Sequence, residues 1–236
     1  SSLPTYYVSK LAGKHVKMVL SGDGGDEGFA GYYSYLRWQK ELSYPGVSKL
    51  KKMFYPLGRL IYPYRYFKRG SYKHWMEIMR AYPYELRKGL YNTDEINAQY
   101  DSRLFSQLFN ESANFEFLQQ AQYMDLGSYL PYDILQKVDI ASMSHSLEVR
   151  TPLIDTKVWE MLSTIPVEHH FSKTDSELSG KVILKQILSD KVDKDFAYRE
   201  KKGFSVPLSK WFGSKTAQVT DRISDSQHLN SMFDGN

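Results

Sequence analysis

The chain has 236 residues, 42% of them hydrophobic, and is rich in Tyr (19) and Phe (12). That length supports one sizeable core or two lobes. There is no cysteine, which excludes a disulfide framework, a thiolate metal site and a cysteine nucleophile within these residues. The net charge of +4 is mild but unevenly spread. No apolar run approaches the roughly 20 residues of a membrane span, no secretory leader is visible, and the expected compartment is the cytoplasm. Residue 1 is Ser rather than Met, so a piece of a longer protein is expected.

Residues 3–13 are predicted to be helical, with Ser2 as N-cap and Pro4 in the first turn. His15–Leu20 reads as a short buried strand. The turn Ser21-Gly22-Asp23-Gly24-Gly25-Asp26-Glu27 follows. A helix is predicted over 26–42, with Phe29, Tyr32, Tyr33 and Leu36 on its apolar stripe. A glycine-rich turn between strand and helix presents N–H groups that favour anions. This one also carries three carboxylates. A divalent cation lying between acids and phosphates reconciles the two, so the turn is read as a magnesium–nucleotide site. No Gly-Lys-Ser/Thr follows, which excludes a Walker A loop, and the acid spacing is not that of an EF-hand. Asp23 and Asp26 stand three apart, so a tight turn can aim both at one cation.

Residues 44–75 hold eight Lys or Arg, six Tyr and no acid, leaving −4 on the rest of the chain. Pro45, Pro56 and Pro63 break this stretch into short helices. It reads as a basic surface whose tyrosines face inward. An acidic partner, a membrane surface or nucleic acid ranks below that, and no nucleic-acid motif accompanies it. Several short helices are predicted over 74–123. A longer one covers 128–146, with Ile134, Leu135, Val138 and Met143 on its buried side. Glu148–Asp155 reads as extended, because Pro152 turns Thr151 away from helix. Helices follow over 156–164 and 179–190, then a basic loop over 194–206. The polar tail from about 213 is expected to fray.

Two further groups suit the same chemistry. A basic loop such as Arg199-Glu200-Lys201-Lys202-Gly203-Phe204 can close on phosphate, where a lysine offsets charge on departing pyrophosphate. Asp133 and Lys137 stand at an ion-pairing i, i+4 spacing next to Asp139. Arg150 and Asp155 are read as structural braces around Pro152. The six histidines show no metal spacing, and His169-His170 is read as a surface pair.

Taken in order, four stretches resemble the synthetase domain of glutamine-dependent asparagine synthetases. They are Val19–Glu27 with Phe29-Ala30-Gly31-Tyr32, then Lys137–Met143, then Ser146–Asp155, then Lys201-Lys202-Gly203-Phe204 with Pro207 and Trp211. The resemblance implies an α/β fold of the ATP-pyrophosphatase (adenine-nucleotide alpha-hydrolase-like) type. Residues 1–236 would be its C-terminal portion, mostly helical with few strands. It implies a ligase that adenylates the side-chain carboxylate of aspartate with ATP and then admits ammonia from a glutaminase domain. By position, Ser21 and Gly22 would touch ATP, and Asp26 would hold Mg2+ on the pyrophosphate. Asp23 would take part in forming and consuming the adenylate, and Lys201 would bind the departing pyrophosphate. Asp133, Lys137 and Asp139 would support them.

The family's Ser-Gly-Gly-x-Asp-Ser motif and its glutaminase cysteine do not occur here, and the resemblance places both upstream. The isolated chain is therefore expected to be inactive. Asp23 replaces the Glu of many members, one methylene shorter. Other readings are a paralogous amidotransferase or cyclase acting on a sugar acid, peptide or lactam precursor, and a non-catalytic module docking an anionic partner through 44–75. The expected partners are ATP, aspartate and the glutaminase domain, with a homodimer allowed for and neither nucleic acid nor membrane.

Overall fold

The acidic turn is anchored by a pair of three-residue strands. In the computed structural model, which describes residues 1–43, 70–80, 82, 84–87, 89, 91, 93–173, 178–199, 213 and 221, β1 (Met18–Leu20) runs parallel to β2 (Glu148–Arg150). Val19 faces Val149 in register. The pairing continues past the strand end, where Ser21 N–H donates to Arg150 O at 2.8 Å. β1 is shorter than the predicted strand and is not buried. Met18 and Leu20 are exposed on either side of a half-buried Val19.

The chain divides into two compact units, one of residues 1–45 and 104–204, the other of 46–103 and 205–236. In the first, α1 (Ser2–Ala12) precedes β1, and its N-cap is Ser1 rather than Ser2. The predicted helix over 26–42 is two helices, α2 (Gly25–Gly28) and α3 (Tyr33–Ser43). The break falls at Ala30, whose φ of 55° is left-handed and cannot continue a right-handed helix. The phase of the apolar stripe changes with it. Tyr35 and Trp38 are fully buried, whereas Tyr33 is 78% exposed.

The described part of the second unit holds α4 (Tyr72–Met79), α5 (Tyr84–Arg87) and α6 (Thr93–Ala98). Ser71 caps α4 by accepting from His74 N–H. Its core is Trp75, Ile78, Ile96 and Tyr100 around a buried ion pair, Glu77–Arg87 at 2.9 Å. Tyr100 hydrogen-bonds both partners, and Tyr84 N–H donates to Glu77 at 2.7 Å. Of the basic tyrosine-rich segment, 44–69 lies outside the described residues. Lys73, within it by sequence, pairs with Asp101 at 2.8 Å.

The first unit resumes with α7 (Arg103–Glu111), whose opening residue belongs to the second, and α8 (Phe117–Leu126). Leu118, Ala121, Gln122, Met124 and Asp125 form the buried side of α8, a helical spacing. They pack on α3, where Trp38 Nε1 donates to Phe117 O at 2.7 Å. A π-helical turn (Leu130–Leu135) then leads into α9 (Gln136–Met143), which packs on α1. Ile134 is buried as predicted, but Met143 is 57% exposed. After β2, a 3-10 turn (Pro152–Ile154) interrupts the predicted extended run, with Thr151 itself non-helical. Asp155 caps α10 (Thr156–Ser163) by accepting from Lys157 N–H. The predicted helix over 179–190 begins later. A hairpin of β3 (Ser172–Lys173) and β4 (Leu178–Ser179) comes first, then α11 (Val182–Ser189) and α12 (Lys194–Ala197). His170 is 2% exposed, which corrects its reading as a surface residue. None of the described helices is long and apolar enough to cross a membrane.

Candidate functional site

The acidic turn is held from both ends and from one side. Ser21 is fixed to β2, Gly25 N–H donates to Gly22 O at 3.1 Å, and Gly31 N–H closes back on Asp26 O at 2.7 Å. Gly24 adopts φ +85° with Ile154 packed against it, so a side chain there would be strained and crowded. The third support is the segment before α11. Lys181 N–H donates to Phe29 O at 2.9 Å. The two backbones approach so closely at Gly180 that a Cβ there would clash with Ala30 O, while a Cβ on Gly31 would meet the side chains of Asp26 and Lys181.

That approach brings a cation to the turn. Lys181 Nζ stands 3.0 Å from Asp26 Oδ2, with the side chains 29% and 23% exposed. Lys181 itself has φ 60°, a left-handed conformation uncommon outside glycine and costing roughly 1–2 kcal/mol. Asp23 accepts from Ser21 Oγ at 2.5 Å. Behind the turn, Glu27 is buried and accepts from Tyr32 OH at 2.6 Å. Burial pushes the Glu27 carboxyl above its ordinary range, the Tyr32 hydrogen bond opposes this, and the nearby Asp26 and Asp23 add to the rise. Tyr35 OH donates to buried Asp125 at 2.6 Å. Gln122 Nε2 donates to the carbonyls of Glu27 and Gly28 at 2.9 and 2.8 Å, tying the turn to α8.

The asparagine synthase family profile matches residues 1–235. The chain belongs to that family. It is 29% identical over 236 residues to asparagine synthetase (glutamine-hydrolysing) 1 of Bacillus subtilis, covering 96% of this chain and 37% of that protein. It is 30% identical over 248 residues to a Mycobacterium tuberculosis protein provisionally named as a glutamine-hydrolysing asparagine synthetase, covering 96% of this chain and 36% of the other. A stretch of 36 residues is 61% identical to part of a similarly named Methanocaldococcus jannaschii protein, 15% of this chain and 7% of the other. The chain thus spans little more than a third of the longer relatives it matches along its length. No solved structure matches it. The family carries the ATP-pyrophosphatase fold, and the mostly helical architecture with few strands agrees with that expectation.

Within this asparagine synthase domain, Ser21, Gly22, Asp23 and Asp26 share one turn. Asp133, Lys137 and Asp139 do not join as expected. The π-helical winding over 130–135 takes Asp133 off the i, i+4 spacing from Lys137. Lys137 Nζ instead donates to Ser1 Oγ at 3.0 Å. Asp133 lies beside Tyr129, whose hydroxyl is pushed up to about 12 by burial first and then by Asp133. Arg150 pairs with Glu148 at 2.7 Å, and Asp155 serves as a helix cap. Lys201 lies outside the described residues. Lys181 is the site residue that sequence reasoning missed. Its signal was faint: a Gly-Lys pair directly before the apolar run Val182-Ile183-Leu184.

The turn can be tested for magnesium on its own donors. Among the described residues no three His, Asp or Glu side chains converge as a metal cage. Asp23 and Asp26 are the carboxylates within the turn that remain part-exposed. One or two carboxylates, completed by phosphate oxygens and water, is how magnesium is commonly held. The donor set therefore fits magnesium delivered with a phosphate chain. A cavity of about 460 Å³ borders Gly28, Gln122, Trp159 and Leu162, but none of the candidate residues lines it.

Proposed function

We propose that the chain is the C-terminal part of the synthetase domain of an ATP-dependent amide ligase, and that the acidic turn holds the magnesium-bound phosphates of ATP. The observation that carries this reading is a part-exposed carboxylate and an ammonium, Asp26 and Lys181, brought together by strained backbone on a family-matched loop. The names of the relatives suggest asparagine as product and glutamine as ammonia source. Asp23 in place of Glu leaves open another acceptor, a sugar acid or a peptide.

The reaction under this reading has two balanced steps. A carboxylate oxygen bonds to the α-phosphorus of ATP, and the bond to the bridging oxygen breaks to release pyrophosphate. Ammonia then adds at the acyl carbon, AMP leaves, and a proton is lost. Magnesium, when bound, neutralises charge on the pyrophosphate. Asp26 would hold it. Ser21 and Gly22 would line the nucleotide, Lys181 and Lys201 would face the phosphates, and Asp23 would orient the acyl centre. Fixed charges aimed where charge develops lower the barrier without reorganising during reaction.

The test uses the full-length polypeptide with ATP, magnesium, ammonium and a panel of carboxylates, following pyrophosphate. Aspartate is expected to give the fastest release, and Asp26→Asn to slow it by about 100-fold, the scale for losing one electrostatic contact to the transition state. Release unchanged by Asp26→Asn would refute the site. Faster release with another carboxylate would reassign the acceptor.

A further inference from the structure

The Asp26–Lys181 pair is costly to build and contributes little to stability. It stands on a lysine at φ 60° next to Gly180, where a Cβ would run into the Ala30 carbonyl, and it fills the space that a Cβ on Gly31 would need. A part-exposed ion pair returns only about 0.2–1 kcal/mol. Its surroundings are unequal. Asp23, Asp26 and Glu27 cluster on the turn, while the facing end of α11 offers Lys181 and, one helical turn on, Lys185. Lys185 is engaged with Ser179 Oγ at 2.5 Å, whereas Lys181, among the described residues, pairs with Asp26.

We propose that Lys181 is a positioning residue that occupies the cation place at Asp26 while the site is empty, so that a divalent ion binds there only by displacing it. This rests on the phosphate-site reading above. A metal arriving alone must strip the ammonium from its carboxylate and leave it beside a doubly charged ion. A metal arriving with a phosphate chain brings negative charge for the displaced ammonium. The pair therefore biases Asp26 against free metal and towards metal already bound to phosphate.

The probe is Mn2+ added to the full-length polypeptide, first alone and then with inorganic pyrophosphate, with free Mn2+ read by electron paramagnetic resonance. Lys181→Gly removes the ammonium and suits the left-handed backbone. Lys181→Asn, the other side chain at home at positive φ, repeats the measurement should the glycine variant fold poorly. Both are expected to bind Mn2+ alone roughly fivefold more tightly than the unsubstituted chain, the upper end for a part-exposed ion pair. Both are expected to lose part of the preference for Mn2+ with pyrophosphate over Mn2+ alone. If Asp26→Asn weakens Mn2+–pyrophosphate binding but the Lys181 variants gain nothing with Mn2+ alone, the displacement idea is overturned and the phosphate site stands. If Asp26→Asn leaves Mn2+–pyrophosphate binding unchanged, the phosphate site itself falls.

Discussion

The two ion pairs Glu77–Arg87 and Asp26–Lys181 are almost equal in length, 2.9 and 3.0 Å, yet their settings differ. The first is buried, with side chains about 5–6% exposed, and the oxygens of Glu77 receive bonds from Tyr84 N–H, Arg87 and Tyr100. Arg87 also reaches Tyr82 O and Gln99. Little capacity remains there for a ligand, and none of the described residues over 71–100 has a positive φ. The second is part-exposed and stands on a left-handed lysine between two closely packed glycine segments. Saturated burial marks a charge pair that holds a fold together. Exposure combined with strain is what the role proposed for Asp26–Lys181 requires.

The sharpest way to break this contrast is to remove one partner of each. Glu77→Leu strands the Arg87 charge in the core of the second unit, and unfolding in denaturant is expected to show a loss of about 3–5 kcal/mol. The double change Glu77→Leu with Arg87→Met should lose clearly less, because no charge is then left unpaired. Lys181→Gly should cost under about 1 kcal/mol in the same assay, since it removes a part-exposed pair and relieves a strained φ. Equal losses at the two sites would end the distinction between a structural pair and a poised one.

A smaller effect is expected where the backbones meet. Gly180→Ala drives a methyl into the Ala30 carbonyl. The segments around 30 and 180 must part, at a cost of about 1–3 kcal/mol, the usual range for overpacking. The Asp26–Lys181 contact should open with them, visible as a changed Lys181 side-chain resonance. Gly89→Ala is the control. Its nearest neighbour, Leu86 O, would lie 3.7 Å from the new carbon, so stability should stay within about 0.5 kcal/mol. A Gly180→Ala protein as stable as this control would show that the two segments are not tightly interlocked.

Local turns were legible and long-range packing was not. The acidic turn was read from adjacent glycines and acids after an apolar run, a pattern complete within seven residues. The Pro152 boundary and most helices on either side of it were equally local. The break at Ala30 was hidden, because alanine favours helix and nothing local in the sequence marks its left-handed backbone, which lies against Gly180, far along the chain. Lys181 escaped for the same reason: only the fold makes Gly180-Lys181 part of the acidic site. The Asp133–Lys137 spacing misled because a π-helical turn alters the winding on which i, i+4 arithmetic depends. The His169-His170 pair misled because a 3-10 turn over Val167–His169 leads the chain inward at its end and buries the second ring.

His170 offers the gentlest test, since it is a buried titratable group without the partners that Glu77 and Arg87 enjoy. Among the described residues neither ring nitrogen has a partner at good hydrogen-bond geometry, although the Ile165 backbone lies close enough to act on the ring. Burial holds the imidazole below its ordinary 6.5, the Ile165 backbone opposes this, and the neighbouring His169 adds to the lowering. The folded chain therefore binds a proton at this site less readily than the unfolded chain. The resulting stability is present above pH 6.5 and is lost as pH falls from there through the lowered folded value. The His170 contribution to the slope cannot exceed one proton, about 1.4 kcal/mol per pH unit. His170→Phe keeps a ring of similar bulk and removes the titration. Denaturant midpoints measured from pH 7.5 down to 5 should flatten relative to the unsubstituted chain, with the two curves diverging only below about pH 6.5. Parallel curves would mean that the ring finds a proton acceptor or water in solution, and that burial alone does not set its charge.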